Sequence, residues 1–143
     1  MQTKEIRNNE NIIDSRDVIA RIEDLQDYLN TYKEAVIEAE TIEEKEGAQN
    51  ALDDFEEDYG DELAALLRLQ AECKDYFPGW QYGEVLIHED YFPEYCEELC
   101  KDIGYISSDL PAFIEIDWDK TAENMEVDYM EVDFDGETYL IRS

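Results

Sequence analysis

The chain is short of cations, cysteine, glycine and proline, and holds a single histidine, His88. Its 143 residues include only eleven Lys and Arg, so direct binding to DNA, RNA or an anionic membrane is electrostatically disfavoured. Three cysteines, Cys73, Cys96 and Cys100, are an odd number. With an opening "MQTKEIRNNEN" that carries no apolar signal segment, they read as reduced thiols in the cytoplasm of a host cell. The longest strongly apolar run is about "LAALL", Leu63 to Leu67, far short of the roughly 20 residues a membrane span needs. With six Gly and three Pro there is no low-complexity tract, and no internal repeat is visible.

What the chain has in excess is carboxylate. Forty Asp and Glu leave a formal net charge of -29, so most acids lack a basic partner even if every cation is paired. Self-repulsion on this scale opposes compaction. Yet 43% of the residues are hydrophobic and 12% aromatic, including ten Tyr, enough to build a core and leave the regime of disordered acidic tails. The acidity therefore sits on a folded body, one compact domain or two very small ones.

"DSRD" at Asp14 to Asp17 offers a helix cap, after which Val18, Ile22, Leu25, Leu29, Tyr32, Val36 and Ala39 recur at steps of four and three. "TIEEKEG" around Gly47 predicts a break. Ala48, Leu52, Phe55, Tyr59, Leu63 and Leu66 then continue the stripe, with Gly60 marking a kink or a second break. This predicts an antiparallel helical hairpin over residues 1–75. The stripe reads as an internal seam, with a homodimer interface as the alternative. "KDYFPGWQYG" marks the boundary to a second, acidic α+β unit over residues 76–143: a strand at "EVLIH", a helix from Asp90 to Ile103 with Pro93 in its first turn and Gly104 past its end, a loop at "SSDLP", a strand at "FIEI" and a short helix capped by Asp117. The end is a β-hairpin turning at Asp135-Gly136. The fold class is α+β.

Little here suggests chemistry. Glu131, Asp133, Asp135 and Gly136 match four places of a calcium loop, but the closing bidentate Glu is replaced by Arg142, and "TYLIR" continues as a strand. Cys96 and Cys100 lie one helical turn apart and, with His88, give three soft ligands without a fourth; they read as small buried hydrophobes. No nucleophile motif, Walker loop, dinucleotide fingerprint or zinc signature is present. The expectation is no enzyme, no metal and no cofactor.

The carboxylates are patterned. "LDDFEEDYGDEL" sets Asp53, Asp54, Glu56, Glu57, Asp58, Asp61 and Glu62 around the outer arc of the second helix. In the closing "MEVDYMEVDFDGETYLIRS", Glu126, Asp128, Glu131, Asp133, Asp135 and Glu137 fall at nearly every second place, and Glu97 adds to the acidic surface between. From Tyr76 onward only Lys101, Lys120 and Arg142 oppose eighteen acids. Carboxylates three or four apart on a helix stand roughly 5 to 6 Å apart, and those two apart on a strand roughly 6.5 to 7 Å. Those intervals are close to the spacing of phosphates along a DNA strand. The pattern predicts a DNA mimic that fills the basic channel of a DNA-binding protein; a plain solvated acidic surface is the simpler alternative.

The segment "IDWDKTAENMEVDYMEVDFDGETYLIR" resembles the C-terminal part of the ArdA-type antirestriction proteins, in Asp117-Trp118, the helix with Ala122, Asp128-Tyr129 and the closing Tyr139 and Arg142. Together with "YFPEYCEELCKDIG" it is also similar to small acidic proteins of phages and mobile elements. The resemblance implies a non-catalytic acidic dimer that mimics bent DNA and inhibits Type I restriction-modification enzymes. The helical hairpin departs from that family's modular domains. A CRISPR effector is the second expected target, and an acidic interaction or scaffold module that holds a basic protein is the alternative function.

Overall fold

Asp14 accepts a hydrogen bond from the Arg16 N–H at 2.9 Å and caps α1, Ser15–Glu38, in the computed structural model, which describes residues 1–107 and 109–143. Along α1 the stripe is buried at Val18, Ile22 and Leu25 and half-buried at Leu29, Tyr32 and Val36. The chain leaves the helix at Ala39, whose backbone is extended, and Thr41 caps α2, Ile42–Cys73. The Thr41 hydroxyl accepts from the Glu44 N–H at 3.1 Å while the Glu44 carboxylate accepts from the Glu40 N–H at 3.1 Å. The break expected around Gly47 therefore lies at residues 39–41. Gly47 and Gly60 both sit inside an unbroken helix, because a helical glycine costs only about 1 kcal/mol and packing of Leu52, Phe55, Leu63 and Leu66 outweighs it.

Among the described residues four strands form one antiparallel sheet in the order β1-β2-β4-β3: β1 Ile12–Asp14, β2 Val85–His88, β3 Tyr129–Phe134 and β4 Glu137–Arg142. β1 is a strand of which the polar opening gives no sign. The segment "FIEI" is not a strand. The Ile114 N–H returns to the Pro111 carbonyl at 2.9 Å in a turn, Phe113 is exposed, and among the described residues no further strand lies beside the sheet's edges, β1 and β3.

Helices cover both faces. On one side α1, α2 and the short α3, Trp80–Gly83, bury Val18, Leu25, Phe55, Leu66, Phe77 and Trp80 against Leu86, Val132, Phe134, Tyr139 and Ile141. On the other, α4, Phe92–Asp102, and α5, Trp118–Met125, bury Phe92, Cys96 and Ala122 against Ile87 and Leu140. Leu86 and Ile87 of β2 and Tyr139 to Ile141 of β4 are buried on both faces, which is why these stretches are continuously apolar while β3 alternates. Asp117 caps α5 by accepting the Lys120 N–H at 3.0 Å, as expected. Residues before and after the "KDYFPGWQYG" turn share the larger core, and Ser15 joins them: its buried hydroxyl donates to the Trp80 carbonyl and accepts from the Glu84 N–H, both at 2.6 Å. The fold is α+β, a long helical hairpin followed by a small helix and strand unit that ends in the β3–β4 pair. No helix among the described residues is long and apolar enough to cross a membrane.

Candidate functional site: two acidic surfaces and the cleft between them

The inward stripe of α2 leaves Asp53, Asp54, Glu56, Glu57, Asp58 and Asp61 exposed on its outer arc. Between Lys45 and Arg68 the helix carries no cation, and among the described residues none of these six carboxylates makes an ion pair. Asp53 takes one neutral hydrogen bond, from the Gln49 amide at 2.9 Å.

Glu62 does not belong to this arc. Its side chain is 9% exposed and that of Arg21 is 3%. Arg21 Nε and Nη2 each donate to the Glu62 carboxylate at 2.8 Å, and the Ile6 N–H adds a third bond at 3.1 Å. Arg21 also donates to the Thr3 carbonyl at 3.0 Å and lies over the Tyr59 ring. The bond to Glu62 holds the Arg21 guanidinium above its ordinary pKa. The pair fastens residues 1–7 and both arms of the hairpin together. The signal is in the sequence: stepping three and four from Leu52 through Phe55 and Tyr59 to Leu66 and Leu69 passes through Glu62, a carboxylate on the seam beside the buried Leu63.

The second surface is the terminal hairpin. Asp135 and Gly136 both have positive φ, 50° and 86°, the two-residue turn that fits the twist of paired strands. Asn8 donates its side-chain amide to the Asp135 carbonyl at 2.9 Å. The turn sets Phe134 opposite Glu137 and Asp133 opposite Thr138. Glu131 and Asp133 are thus exposed on the α4/α5 side, whereas Glu137 shares the other side with Val132 and Tyr139. There its carboxylate meets His88 Nε2 at 3.1 Å. Glu126 and Asp128 lie before the strand, in a short 3₁₀ turn, Glu126–Asp128, and both are exposed. The single negative face expected from strict alternation is therefore divided, because alternation changes face across a two-residue turn.

Glu97 stands apart on α4. It is half-buried beside Lys101, 3.7 Å away, in a groove with Ile106, Leu110, Ile114 and Trp118.

The α2 arc and the hairpin turn meet. A cleft of about 430 Å³ has Glu57, Asp58 and Asp61 on one wall, Phe134 and Asp135 on another, and Arg7 at its rim. Arg7 is already engaged by Glu5 at 2.9 Å.

The residues weighed for chemistry are elsewhere. His88 Nδ1 accepts from the Asp90 N–H at 3.1 Å, which leaves Nε2 to donate to Glu137. Burial pushes the Cys96 thiol up to about 11 and the Cys73 thiol up to about 12. Among the described residues no group of three or more His, Cys, Asp and Glu is placed to hold a metal ion. No family model, curated protein or solved structure matches this chain.

Proposed function

We propose that the protein is a non-catalytic DNA-mimic inhibitor of the antirestriction or anti-CRISPR type, which occupies the basic DNA-binding channel of a host defence enzyme. One observation carries the reading. Of the fourteen candidate carboxylates, three are engaged, Glu62 by Arg21, Glu97 by Lys101 and Glu137 by His88. The other eleven are exposed without an ion pair among the described residues, on two rigid elements that border one cleft. Exposed Glu43, Glu44 and Glu46 extend the α2 row toward its N-terminus. From Glu43 to Asp61 the row covers about 27 Å of helix at ~1.5 Å per residue, or roughly eight base pairs at ~3.4 Å each. A folded body holds these charges in place before binding, so the ordering entropy a flexible acidic tail pays is avoided.

The test is competition. A purified Type I restriction enzyme and a purified CRISPR effector, each with a labelled DNA duplex, are titrated with the protein at two salt concentrations. Mimicry predicts that the protein displaces DNA from at least one of them, with an apparent affinity that falls steeply as salt rises. The second reading, an acidic module that holds a basic protein, predicts a ternary complex in which DNA stays bound. The open edge of β3 supports that second reading.

A further inference from the structure

β3 is an edge strand, and its backbone is half unpaired. The Ser143 N–H donates to the Asp128 carbonyl at 2.9 Å and the turn closes on Phe134 and Glu137. Residues 128, 130, 132 and 134 therefore aim their backbone groups at β4. The N–H and C=O of Tyr129, Glu131 and Asp133 aim the other way; the Tyr129 N–H closes the preceding 3₁₀ turn on the Glu126 carbonyl, and among the described residues nothing pairs with the other five groups. Natural edges are commonly blunted by a bulge, a proline, an inward charge or a lysine. β3 has no bulge, proline or lysine: its register with β4 is unbroken from Tyr129↔Arg142 to Phe134↔Glu137, and its guard is the exposed carboxylate pair Glu131 and Asp133, which repels an acidic strand and attracts a cationic one. The opposite edge, β1, has three residues, and its Asp14 side chain is committed to capping α1.

We infer that β3 accepts an added strand from a partner: an extended segment in which Lys or Arg alternates with apolar or Thr residues. The occupant follows from charge and register. In an antiparallel addition, residues set opposite Glu131 and Asp133 place their Cβ atoms roughly 5 Å from those of the two carboxylates, where cations are favoured. The intervening residues lie on the side of Val132 and Phe134, above α2, which is the helix packed beneath β3. There Asp58 and Asp61 border the Phe134 end of the edge. A second copy of this chain would set carboxylates against carboxylates, so it is the disfavoured occupant. The inference uses the same hairpin as the proposed function and rests on its carboxylates meeting a cationic partner; it does not require that partner to bind DNA.

The test uses fluorescently labelled synthetic decapeptides alternating Lys with Val and Thr: one unmodified, one N-methylated at the Lys amides and one at the Val and Thr amides. All three carry the same charge. Strand addition predicts that one methylated set binds the native protein at least about tenfold more weakly than the unmodified peptide while the other binds within about twofold of it, since alternate amides point in opposite directions. Equal affinity for all three, or equal loss for both methylated sets, would overturn strand addition. Failure of all three to bind overturns it as well. None of these outcomes touches the DNA-competition result, which alone decides the mimic. On the protein side, Glu131→Pro and Glu131→Gln remove the same charge but only proline removes the outward N–H. The Pro variant should bind the unmodified peptide at least about fivefold more weakly than the Gln variant; equal binding by folded variants counts against pairing, and if the Pro variant does not fold, the methylated peptides against native protein decide.

Discussion

The arc of α2 and the edge of β3 are equally bare of cations, yet their carboxylates stand in different relation to the fold. On α2 the charges work against the helix that carries them. Asp54 with Asp58 and Glu57 with Asp61 are like-charged at the fourth neighbour, each pair costing roughly 0.2 to 0.5 kcal/mol, and no structural role offsets that cost. On β3, Glu131 and Asp133 border five unpaired backbone groups, and charge at an edge keeps other strands from pairing there. The edge thus has a reason for its acidity that needs no partner, and the arc has none. Of the two, the arc is the stronger support for mimicry.

The sharpest contrast lies within α2 itself, and breaking it gives the largest effect. Arg21→Met strands the Glu62 carboxylate in a buried site, with a cost of about 3 to 5 kcal/mol, whereas Asp58→Asn, one turn earlier, should change stability by less than about 0.5 kcal/mol. Urea unfolding of both variants measures the difference. The double variant Arg21→Met with Glu62→Leu should recover much of the loss, because no charge is then left buried. An Arg21→Met cost below about 1 kcal/mol would place Glu62 back among the solvated acids.

Alkaline titration separates the core from both acidic surfaces, since every carboxylate is ionised in folded and unfolded chains alike above about pH 8. Burial raises Cys73 to about 12, Cys96 to about 11 and Tyr129 to about 12, and raises Tyr139 further. In the unfolded chain these groups ionise near their ordinary values of about 8.5 for Cys and 10 for Tyr. Between those values and the folded ones the native state holds more protons, so stability, complete below about pH 8.5, falls as pH rises toward 12. Chemical denaturation at intervals from about pH 8 to 11 should show the decline, equally in native protein and in a variant with the arc neutralised. A flat profile would mean the thiols and phenols are not held neutral by the fold.

Salt tests the arc directly. Added NaCl screens exposed charges within the ~10 Å Debye length at 0.1 M, so the native thermal midpoint should rise from low to moderate salt. The triple variant Asp54→Asn, Asp58→Asn, Asp61→Asn should start higher, by under about 1 kcal/mol of stability, and respond less. In the DNA competition assay it should also lose potency and salt slope, more than a variant with Glu131→Gln and Asp133→Asn does. Equal losses would make the two surfaces one site.

Much of this architecture was legible because it is local. Caps at Asp14 and Asp117, the four-three stripes, Pro93 at a helix start, and Asp-Gly at a turn each act over a few residues. What escaped was decided by distant partners. β1 is three residues long and exists because Ile12 to Asp14 pair with Val85 to Ile87. "FIEI" has a strand's alternation, yet its Ile114 N–H is spent in a turn on Pro111 and it pairs with neither edge strand. Glu137 was legible in principle, since the Asp-Gly turn already dictates that Asp133 and Glu137 take opposite faces. The hairpin break was misplaced by weighing Gly47 above the Thr41 and Glu44 capping pattern three to six residues earlier.

The smallest effect on stability tests the reason assigned to the edge. Glu131→Gln with Asp133→Asn keeps size and hydrogen-bonding capacity, leaves the β3–β4 ladder alone and should alter unfolding free energy by less than about 0.5 kcal/mol. What should change is self-association. With the two carboxylates gone, the outward N–H and C=O groups at positions 131 and 133 and the C=O of Tyr129 face no charge barrier, and two copies can pair edge to edge across β3. Sedimentation velocity over roughly a hundredfold range of concentration, at moderate salt to screen the remaining repulsion, should show the native chain unchanged and the variant shifting to a larger species. Strand pairing predicts that Glu131→Pro in place of Glu131→Gln reverses the shift, since it deletes one of the two free outward donors. A variant that stays as native at every concentration would show that the edge needs no guard; the carboxylates of β3 would then stand as unexplained by the fold as those of α2, and both surfaces would call for a cationic partner.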